Sequence, residues 1–452
     1  MKEIRVDFIK GESKYITLYR KIKESIASGE IAKGEKLPSK RDLASSLGVS
    51  INTIMNAYNL LLEEEYIYAK EKSGYFVTSN KYYKHVKRED NQEYNVKQTY
   101  RFDFSSESVA SSLFPSFTFK KVTSDVLMNN PTIWLDKTSP LGDENLRATI
   151  ADYLYRNKGM NVTFENVIIV SSLENSLQII SSLIKIDKVG IEEYSYQKVK
   201  KFFLDEGKTV LDFPLDEEGV CIKEDVDLLY TTPYNQFPLG IVMSKRRKNE
   251  ILSKSSSYIL EDDYDCDLLL SKKVISTLFS LDEERVFYHG SFSHSICSGL
   301  RISYLVIPSK FITLIKKRYL HSSSSSVSSL DQAILNEFIK GGHYFRHLNK
   351  LKKSLFDSKE RIKKLLLNNP YIEFHTNPLS FIISFLPCVN INVLKEKLCE
   401  KRIKIRFLSS FCQNKKDDRM LLCYSSLNKE DIEEAIGLLN KLIKESLIED
   451  NV

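Results

Sequence analysis

The stretch RVFYHGSFSHSICSGLRISYLVIP, residues 285–308, places two apolar, strand-like runs on either side of a polar loop. Runs of the same kind recur upstream, separated by stretches with helical spacing: NVIIVSS (166–172), KVGIEE (188–193), DLLYTTP (227–233) and SYILEDD (257–263). Strands that alternate with helices are typical of α/β proteins, in which crossover helices join parallel strands. The sequence therefore predicts an α/β fold with a mainly parallel sheet, and the segments from residue 378 to residue 445 predict a small α+β C-terminal subdomain.

Composition narrows the class of protein only a little. The chain has 452 residues and a formal net charge of +6, which is enough length for two or three domains and too little charge to name a partner. Seven cysteines are scattered without a CxxC pair, so no zinc site or disulfide framework is indicated. The first residues show no signal region, and no run approaches the ~20 apolar residues of a membrane span. We expect a cytoplasmic protein with no metal site and no membrane contact.

Three helical segments and an extended segment occupy residues 15–77. Gly29 ends the first helix, Ser39 caps the second with Asp42 in the capping-box position, and Ser50 caps the third. The extended segment alternates around a Ser-Gly turn and predicts a two-stranded wing. Two short helices, a tight turn, a third helix and a wing predict a winged helix-turn-helix that binds a double-stranded DNA operator.

The residues predicted to contact DNA lie at the entry to the second helix, on the first turn of the third helix and on the wing. Helix starts offer backbone N–H groups and small polar side chains, and the basic residues offer phosphate contacts. They are Lys36, Ser39, Lys40, Arg41, Ser50, Ile51, Asn52, Thr53, Lys72, Ser73 and Gly74. A helical trio that binds protein instead of DNA is the alternative.

Domain limits follow from changes in composition along the chain. Residues 1–79 contain the winged helix-turn-helix. Residues 80–100 are polar and charged, lack sustained periodicity and are therefore predicted to be a linker. Residues 101–452 contain the strand-and-helix alternation and form the second predicted domain.

The N-terminal pattern closely resembles the GntR family of transcription regulators. The family's LPS.R.LA, GVS.NTV..AY..L and G-x-F-V elements are matched by LPSKRDLA (37–44), GVSINTIMNAYNLL (48–61) and SGYFV (73–77). The family commonly carries a DNA-contacting arginine after the serine of GVS, where this chain has Ile51. Either Ile51 meets a thymine methyl group or the operator differs at that position.

The remaining chain resembles the MocR-type branch of this family, in which a fold-type-I aminotransferase domain serves as an effector sensor. Four of its motifs are matched in order by PLGDENLRATIADYL (140–154), TTPYNQFPLGIVMSKRRKNEIL (231–252), ILEDDYDCD (259–267) and SFSHSICSGLRISYLV (291–306). The resemblance implies a head-to-tail homodimer with each DNA-binding unit over the partner's large domain. It also implies a paired or repeated operator and an amino-acid-like or other small effector.

The same resemblance implies a pocket related to that for pyridoxal phosphate, whose ring nitrogen needs a carboxylate partner to stay protonated. Asp262 stands where that carboxylate is expected. The other implied roles are Tyr264, Asn235 and Gln236 for the ring hydroxyl, Tyr196 for ring stacking, Arg301, Ser291 and Ser293 for the phosphate, and Arg419 for a substrate carboxylate. The structural alternatives are a solvated strand end for Asp262, a surface ion pair for Arg301 and a core position for Tyr196.

Three departures from the family pattern lie in the pocket motifs. His294 stands at the position of the cofactor lysine, and imidazole cannot form a Schiff base. The phosphate loop reads SSLENSL (171–177) without its glycine, and the family's ExPGY reads EEYSY (192–196). We therefore expect no covalently bound cofactor and no catalysis, in a pocket that has lost or weakened its hold on the cofactor.

Two alternatives for the second domain stay open. Relatives of the fold that act on 4-keto sugars use a histidine base with a noncovalent aminated cofactor. His294 could accordingly serve an enzyme that binds pyridoxal or pyridoxamine phosphate noncovalently. A domain that only dimerises, and binds no small molecule, is the second alternative.

Overall fold

A computed structural model of the protein describes residues 6, 8, 13–78, 100–105, 109–135, 137–254, 256–269, 276–319, 325–377, 379–412 and 416–448. The chain divides into two compact units, Met1–Gln98 and Thr99–Val452. The predicted linker, residues 80–100, lies outside the described residues except for Tyr100.

The N-terminal unit contains three helices followed by a hairpin, in the order that the sequence predicts. The elements are α1 (Lys14–Ala27), α2 (Lys40–Leu47), α3 (Ile51–Glu63), β1 (Ile67–Lys70) and β2 (Gly74–Val77). The Ser39 hydroxyl caps α2 by accepting from the Asp42 N–H at 3.2 Å, and Gly48 ends that helix with a φ of 62°. These caps fix the tight turn between the two helices.

The apolar stripes of the three helices meet in one small core. Leu18 and Ile22 of α1, Leu43 of α2, and Ile54 and Leu61 of α3 are all buried there. Each stripe recurs at helical spacing, so one face of α3 is turned inward and the opposite face is left exposed. The start of α3 is therefore available to a partner.

The large unit alternates helices with strands, as predicted. Its helices are α4 (Ser116–Asn129), α5 (Glu144–Lys158), α6 (Leu173–Leu183), α7 (Gln197–Asp205), α8 (Lys245–Lys254), α9 (Leu278–Leu281), α10 (Ile312–Tyr319), α11 (Ser329–Lys340), α12 (His343–Leu367), α13 (Ile391–Glu400) and α14 (Ile432–Lys444). Its strands are β3 (Phe102–Asp103), β4 (Val167–Val170), β5 (Lys188–Glu192), β6 (Thr209–Phe213), β7 (Leu215–Asp216), β8 (Gly219–Val220), β9 (Leu228–Thr231), β10 (Tyr258–Asp263), β11 (Val286–Ser291), β12 (Ser303–Val306), β13 (Ile372–Thr376), β14 (Ser380–Phe385), β15 (Ile403–Lys404), β16 (Arg406–Phe407) and β17 (Met420–Cys423).

Seven strands form the central sheet, in the order β4-β12-β11-β10-β9-β5-β6. All pairs are parallel except those of β12, which runs antiparallel to both β11 and β4. The six predicted runs supply six of these strands, and the mainly parallel α/β fold is confirmed. The seventh strand, β6, was not predicted, because as a half-buried edge strand it carries no continuous apolar run.

The sheet direction decides where a ligand site can form. Because β4, β5, β9, β10 and β11 all run the same way, the loops after them meet at one edge. Open α/β sheets bind ligands at this carboxyl edge. A smaller antiparallel sheet, β13-β14-β17-β16, forms the predicted C-terminal α+β part. None of the helices within the described ranges is long and apolar enough to cross a membrane.

Candidate functional site

The first turn of α3 is built around a side-chain cap. The Ser50 hydroxyl accepts from the Thr53 N–H at 3.2 Å and lies 2.9 Å from the Thr53 hydroxyl. The first N–H groups of any helix have no intrahelical acceptor. In α3 these groups include those of Ile51 and Asn52, so this turn can donate hydrogen bonds to a phosphate.

The exposed face of α3 carries apolar and amide side chains. Ile51 is 48% exposed and Met55 is 37% exposed, and Asn52, Asn56 and Asn59 lie beside them without burial. Amides can pair with adenine edges, and apolar groups can contact thymine methyls. Of this face the sequence had predicted only Ile51 and Asn52. The i, i+4 spacing from Ile51 is the signal that would have found Met55.

The wing and the entry to α2 lie against each other. Lys36 forms an isolated bridge with Phe76, and Lys40 Nζ lies 5.1 Å from the centre of the Tyr75 ring. Lys72 takes a positive φ of 55° in the turn between β1 and β2. The remaining predicted contacts therefore belong to one contiguous region: Lys36, Ser39, Lys40, Arg41, Lys72, Ser73 and Gly74.

A cavity of about 420 Å³ opens at the carboxyl edge of the central sheet. The predicted residues that line it are Tyr196, Asp262, Tyr264, Ser291, Ser293, His294 and Arg301. Sequence reasoning missed several further residues of the lining: Ser172, Glu174, Lys198, Tyr230, Phe237, His289 and Arg406. The sheet thus brings together most of the pocket predicted from the motifs.

Asp262 presents one unmet hydrogen-bond acceptor. Its Oδ2 accepts from the Tyr230 hydroxyl at 2.6 Å, whereas its buried Oδ1 has no hydrogen-bond partner among the described residues. Burial raises the pKa of Asp262 to about 7; the Tyr230 hydrogen bond opposes this, and the charges of Asp263 and Glu192 add to it. A buried carboxylate oxygen of this kind favours a ligand with an N–H donor or a positive charge.

His294 and Tyr264 form an aromatic wall of the cavity. Their ring centres lie 5.7 Å apart with an interplanar angle of 72°. The Phe237 ring packs edge-on against Tyr264 at 6.1 Å. The Tyr264 ring contacts the other two and all three line the cavity, which gives a planar ligand aromatic surface to contact.

His289 is a second histidine of the lining that the sequence did not indicate. Its Nδ1 lies 2.9 Å from the Ser176 hydroxyl, and burial lowers its pKa to about 3. The imidazole is therefore neutral at physiological pH. Its position beside Asp262 in the β10–β11 register is the signal that could have found it.

Glu174 lies on the first turn of α6, where the family pattern has its phosphate loop. Burial raises the pKa of Glu174, and interactions with its own N–H and the Ser172 hydroxyl lower it. The charges of Lys198 and Arg301 lower the pKa further, so the net shift is downward. Lys198 Nζ lies 3.8 Å from Glu174 Oε1. A carboxylate therefore already occupies the anion-binding start of this helix.

Asn235 and Gln236 do not line the cavity, which corrects the prediction that both face it. The Asn235 amide donates to the Asp265 carboxylate at 2.6 Å and to the Tyr264 hydroxyl at 3.2 Å. The Gln236 amide donates to the Glu192 carboxylate at 3.1 Å. Neighbouring carboxylates hold both amides behind the wall, so Asn235 acts on the pocket only through Tyr264.

The arginine of the C-terminal part that lines the cavity is Arg406, not the predicted Arg419. Arg419 is paired with the Asp417 carboxylate by two contacts, at 2.9 and 2.6 Å. That carboxylate, two residues away, compensates its charge. Arg406 donates to the Ser105 carbonyl and lies with its guanidinium 5.6 Å from the centre of the Phe411 ring. Nothing in the sequence pattern around the short strand β16 had singled it out.

A pyridoxal phosphate-type cofactor fits this pocket only in part. The unpartnered Asp262 oxygen suits a protonated ring nitrogen, and the aromatic wall suits a ring. The Glu174 carboxylate, in contrast, lies on the first turn of α6, where the family pattern has its phosphate loop, and no lysine stands at position 294. Within the described ranges, no cluster of three or more His, Cys, Asp or Glu side chains could hold a metal ion.

Comparisons with known proteins agree with both units. Residues 14–77 match the family model described as bacterial regulatory proteins, gntR family. The chain is 31% identical over 446 residues to the HTH-type transcriptional regulator YdeL of Bacillus subtilis (strain 168), covering 94% of this chain and 96% of that protein. It is 25% identical over 380 residues to the probable rhizopine catabolism regulatory protein MocR of Rhizobium meliloti, covering 76% and 75% of the two chains.

Among solved structures, an archaeal alanine:glyoxylate aminotransferase matches with a TM-score of 0.68 and 23% identity. The match covers 76% of this chain and 91% of the aminotransferase, and it shows a shared fold. The similarity to YdeL, in contrast, runs through the DNA-binding unit and the aminotransferase-like unit alike. Because that relative is a transcriptional regulator over its whole length, this chain belongs to the MocR-type branch of the GntR family of DNA-binding transcriptional regulators.

Proposed function

We propose that this regulator acts as a homodimer on a paired or repeated operator, and that its large unit senses a small molecule without a covalently bound cofactor. The observation that carries the proposal is the buried Asp262 oxygen, which lacks a hydrogen-bond partner among the described residues and belongs to a cavity lined by His294. Leaving a buried acceptor unmet costs free energy, so a ligand that donates to it gains affinity. The effector is an amino-acid-like or other small molecule.

The surroundings of the cavity lysine support the absence of a covalent cofactor. Within the described part of the chain, Lys198 is the only lysine of the lining. Its hydrogen bond to the Tyr196 hydroxyl raises its pKa, and Glu174 lies 3.8 Å away. A lysine attacks an aldehyde only as the neutral amine. The raised pKa and the nearby carboxylate keep Lys198 protonated and so disfavour that attack.

An exposed apolar region supports the homodimer. Phe117 is 83%, Met128 78%, Trp134 66% and Leu135 81% exposed, and all four lie on α4 or in the turn after it. Exposed apolar side chains clustered along one segment commonly mark a protein interface. A second copy of the chain is the occupant we propose, since a regulator with two DNA-binding units reads paired half-sites.

Absorption spectroscopy tests the cofactor part of the proposal. Purified protein is mixed with pyridoxal phosphate, desalted, treated with borohydride and weighed by mass spectrometry. We expect no absorption band to survive desalting and no mass increase. A surviving band together with a reduced adduct would contradict the proposal.

Footprinting on DNA upstream of the protein's own gene tests the regulatory part. We expect protection of two half-sites, and an effector should change the affinity for them. Protection of two half-sites that no small molecule affects would favour a purely dimerising large unit instead, and protection of a single site would contradict the paired operator.

A noncovalent enzyme is the second candidate function. The His294 ring lines the cavity 5.7 Å from the Tyr264 ring centre, so the cavity contains an imidazole that can act as a base. This candidate also needs a phosphate at the start of α6, where Glu174 lies. Turnover of a keto or amino sugar by protein loaded with pyridoxamine phosphate, abolished by His294→Ala, would favour the enzyme over the sensor.

A further inference from the structure

We infer that Glu174 supplies a built-in anion at the start of α6, and that the pocket therefore takes a small protonated nitrogen heterocycle that carries no phosphate group. The inference rests on the proposed function for one premise, that the cavity binds a small molecule. It adds the chemical class of that molecule.

The start of α6 is an anion-binding site that the chain fills itself. Helix N-termini attract negative charge because their first N–H groups point outward and the helix dipole is positive there. Glu174 lies in the first turn of α6, its Oε1 is 3.8 Å from Lys198 Nζ, and Arg301 belongs to the same cavity lining. These are the donors and cations that a ligand phosphate would need.

A ligand phosphate would therefore find the positive charges at the start of α6 already paired with Glu174, and it would be repelled by the negative charge of that carboxylate. A phosphate monoester carries up to two negative charges at neutral pH, and Glu174 lies among the residues of the cavity lining. Like charges repel each other, and solvent screens part of this repulsion because the Glu174 side chain is 40% exposed. The site disfavours phosphorylated ligands and leaves uncharged or cationic ones unaffected.

The cavity lining also contains a buried acceptor, Asp262, that suits a positively charged ligand. Asp262 is only 5% exposed, its Oδ1 has no hydrogen-bond partner among the described residues, and it belongs to the same lining as Glu174. This is an observation independent of the helix start. A protonated ring nitrogen would supply both the N–H donor and the charge, and the Tyr264 and His294 rings belong to the same cavity lining.

Calorimetry with two matched probes tests the inference. Pyridoxamine and pyridoxamine 5′-phosphate share the ring and differ in the phosphate. We expect wild-type protein to bind pyridoxamine at least about tenfold more tightly than its phosphate ester. Glu174→Gln keeps the side-chain shape and removes the charge, and we expect it to reverse that preference. Inorganic phosphate should raise the melting temperature of Glu174→Gln but not that of the wild type.

The matched control is Glu144→Gln, which removes an exposed carboxylate from the first turn of α5 in the same unit. It should leave the preference between the two probes unchanged. The inference is overturned if the wild type prefers the phosphate ester, if it binds neither probe, or if Glu174→Gln leaves the preference as it was. Because footprinting is independent of these probes, any of these outcomes can coexist with intact operator binding.

Discussion

At Asp262, the two oxygens of one carboxylate meet different surroundings. One accepts from the Tyr230 hydroxyl at 2.6 Å, and the other is buried without a partner among the described residues. Burial raises the pKa of this group to about 7. Between about pH 4 and about pH 7 the Asp262 carboxyl is therefore protonated in the folded chain and ionised in the unfolded chain. A cationic ligand would take the place of that proton.

This raised pKa makes the stability of the fold depend on pH. A proton held more tightly in the folded state stabilises it at low pH, so the free energy of unfolding falls as pH rises from about 4 to about 7. Asparagine does not titrate. The free energy of unfolding of Asp262→Asn, taken relative to that of the wild type, should therefore increase by ~1–3 kcal/mol from about pH 5 to about pH 7.5. Urea unfolding at the two pH values measures this difference.

The control for that measurement is Asp152→Asn, which changes an exposed carboxylate on α5. The difference in free energy of unfolding between Asp152→Asn and the wild type should change much less from one pH value to the other than it does for Asp262→Asn. A constant difference for Asp262→Asn would show that Asp262 does not titrate in this interval.

His294 offers a prediction of gained reactivity. His294→Lys returns a primary amine to the cavity, and we expect it to form a borohydride-reducible adduct with pyridoxal, which has no phosphate. With pyridoxal phosphate the adduct should require the double change His294→Lys with Glu174→Gln. Mass spectrometry after reduction measures both, and the wild type should form neither adduct.

The control for this prediction combines His294→Lys with Lys198→Arg, which removes the amine of the other cavity lysine and keeps its charge. An adduct with pyridoxal that persists in this double variant belongs to the amine introduced at position 294. Loss of the adduct would assign it to Lys198 instead and contradict the prediction.

At the scale of the element, α3 combines a polar start with an apolar exposed pair. Ser50 caps the helix, and Ile51 and Met55 are exposed one turn apart. An i, i+4 apolar pair stabilises an exposed helix by only about 0.2–0.5 kcal/mol, and such side chains can also contact thymine methyl groups in a major groove. We propose that contact for Ile51.

We expect Ile51→Ala to weaken operator binding about fivefold to tenfold, through loss of apolar contact with a thymine methyl. Replacing that thymine by uracil should weaken wild-type binding to the same extent and leave the variant unaffected. Fluorescence anisotropy with the footprinted operator measures both effects. Leu204→Ala, an exposed apolar change on α7 of the large unit, is the control. Uracil sensitivity in Ile51→Ala would rule out this contact.

The elements also show what could be predicted from sequence. Six strands of the central sheet were found because each is buried on both faces and reads as an apolar run, whereas the edge strand β6 does not. The sequence indicated Arg419 and not Arg406, because sequence gives no measure of which arginine a nearby carboxylate neutralises. That depends on the position of Asp417, which the fold decides.

For the molecule as a whole, the exposed apolar residues of α4 and its following turn are the surface on which the proposed dimer rests. A monomer that exposed Phe117 and Leu135 by more than four-fifths each would leave apolar surface in water at a cost. The division into two units could be predicted from composition. The exposure of these side chains could not be predicted, because apolar residues in a helix are usually interpreted as part of the core.

Leu135→Asp should shift the protein from dimer toward monomer, since a charge would be buried in the proposed interface. Sedimentation velocity measures the shift. Binding to a paired operator should weaken more than binding to a single half-site. Leu204→Asp, at a 50% exposed position on α7, is the matched control. An unchanged dimer in Leu135→Asp would place the interface elsewhere.

The antiparallel strand β12 has a consequence for synthesis. Among the described strands of the central sheet, β4 pairs only with β12. During synthesis the apolar strand β4 therefore stays unpaired until β12, about 130 residues later in the chain, has left the ribosome. Until then its edge is an exposed template for aggregation. The hairpin of the DNA-binding unit, in contrast, is complete at Val77. Translation that stops before residue 303 would thus release a folded DNA-binding unit joined to an aggregation-prone fragment of the large unit.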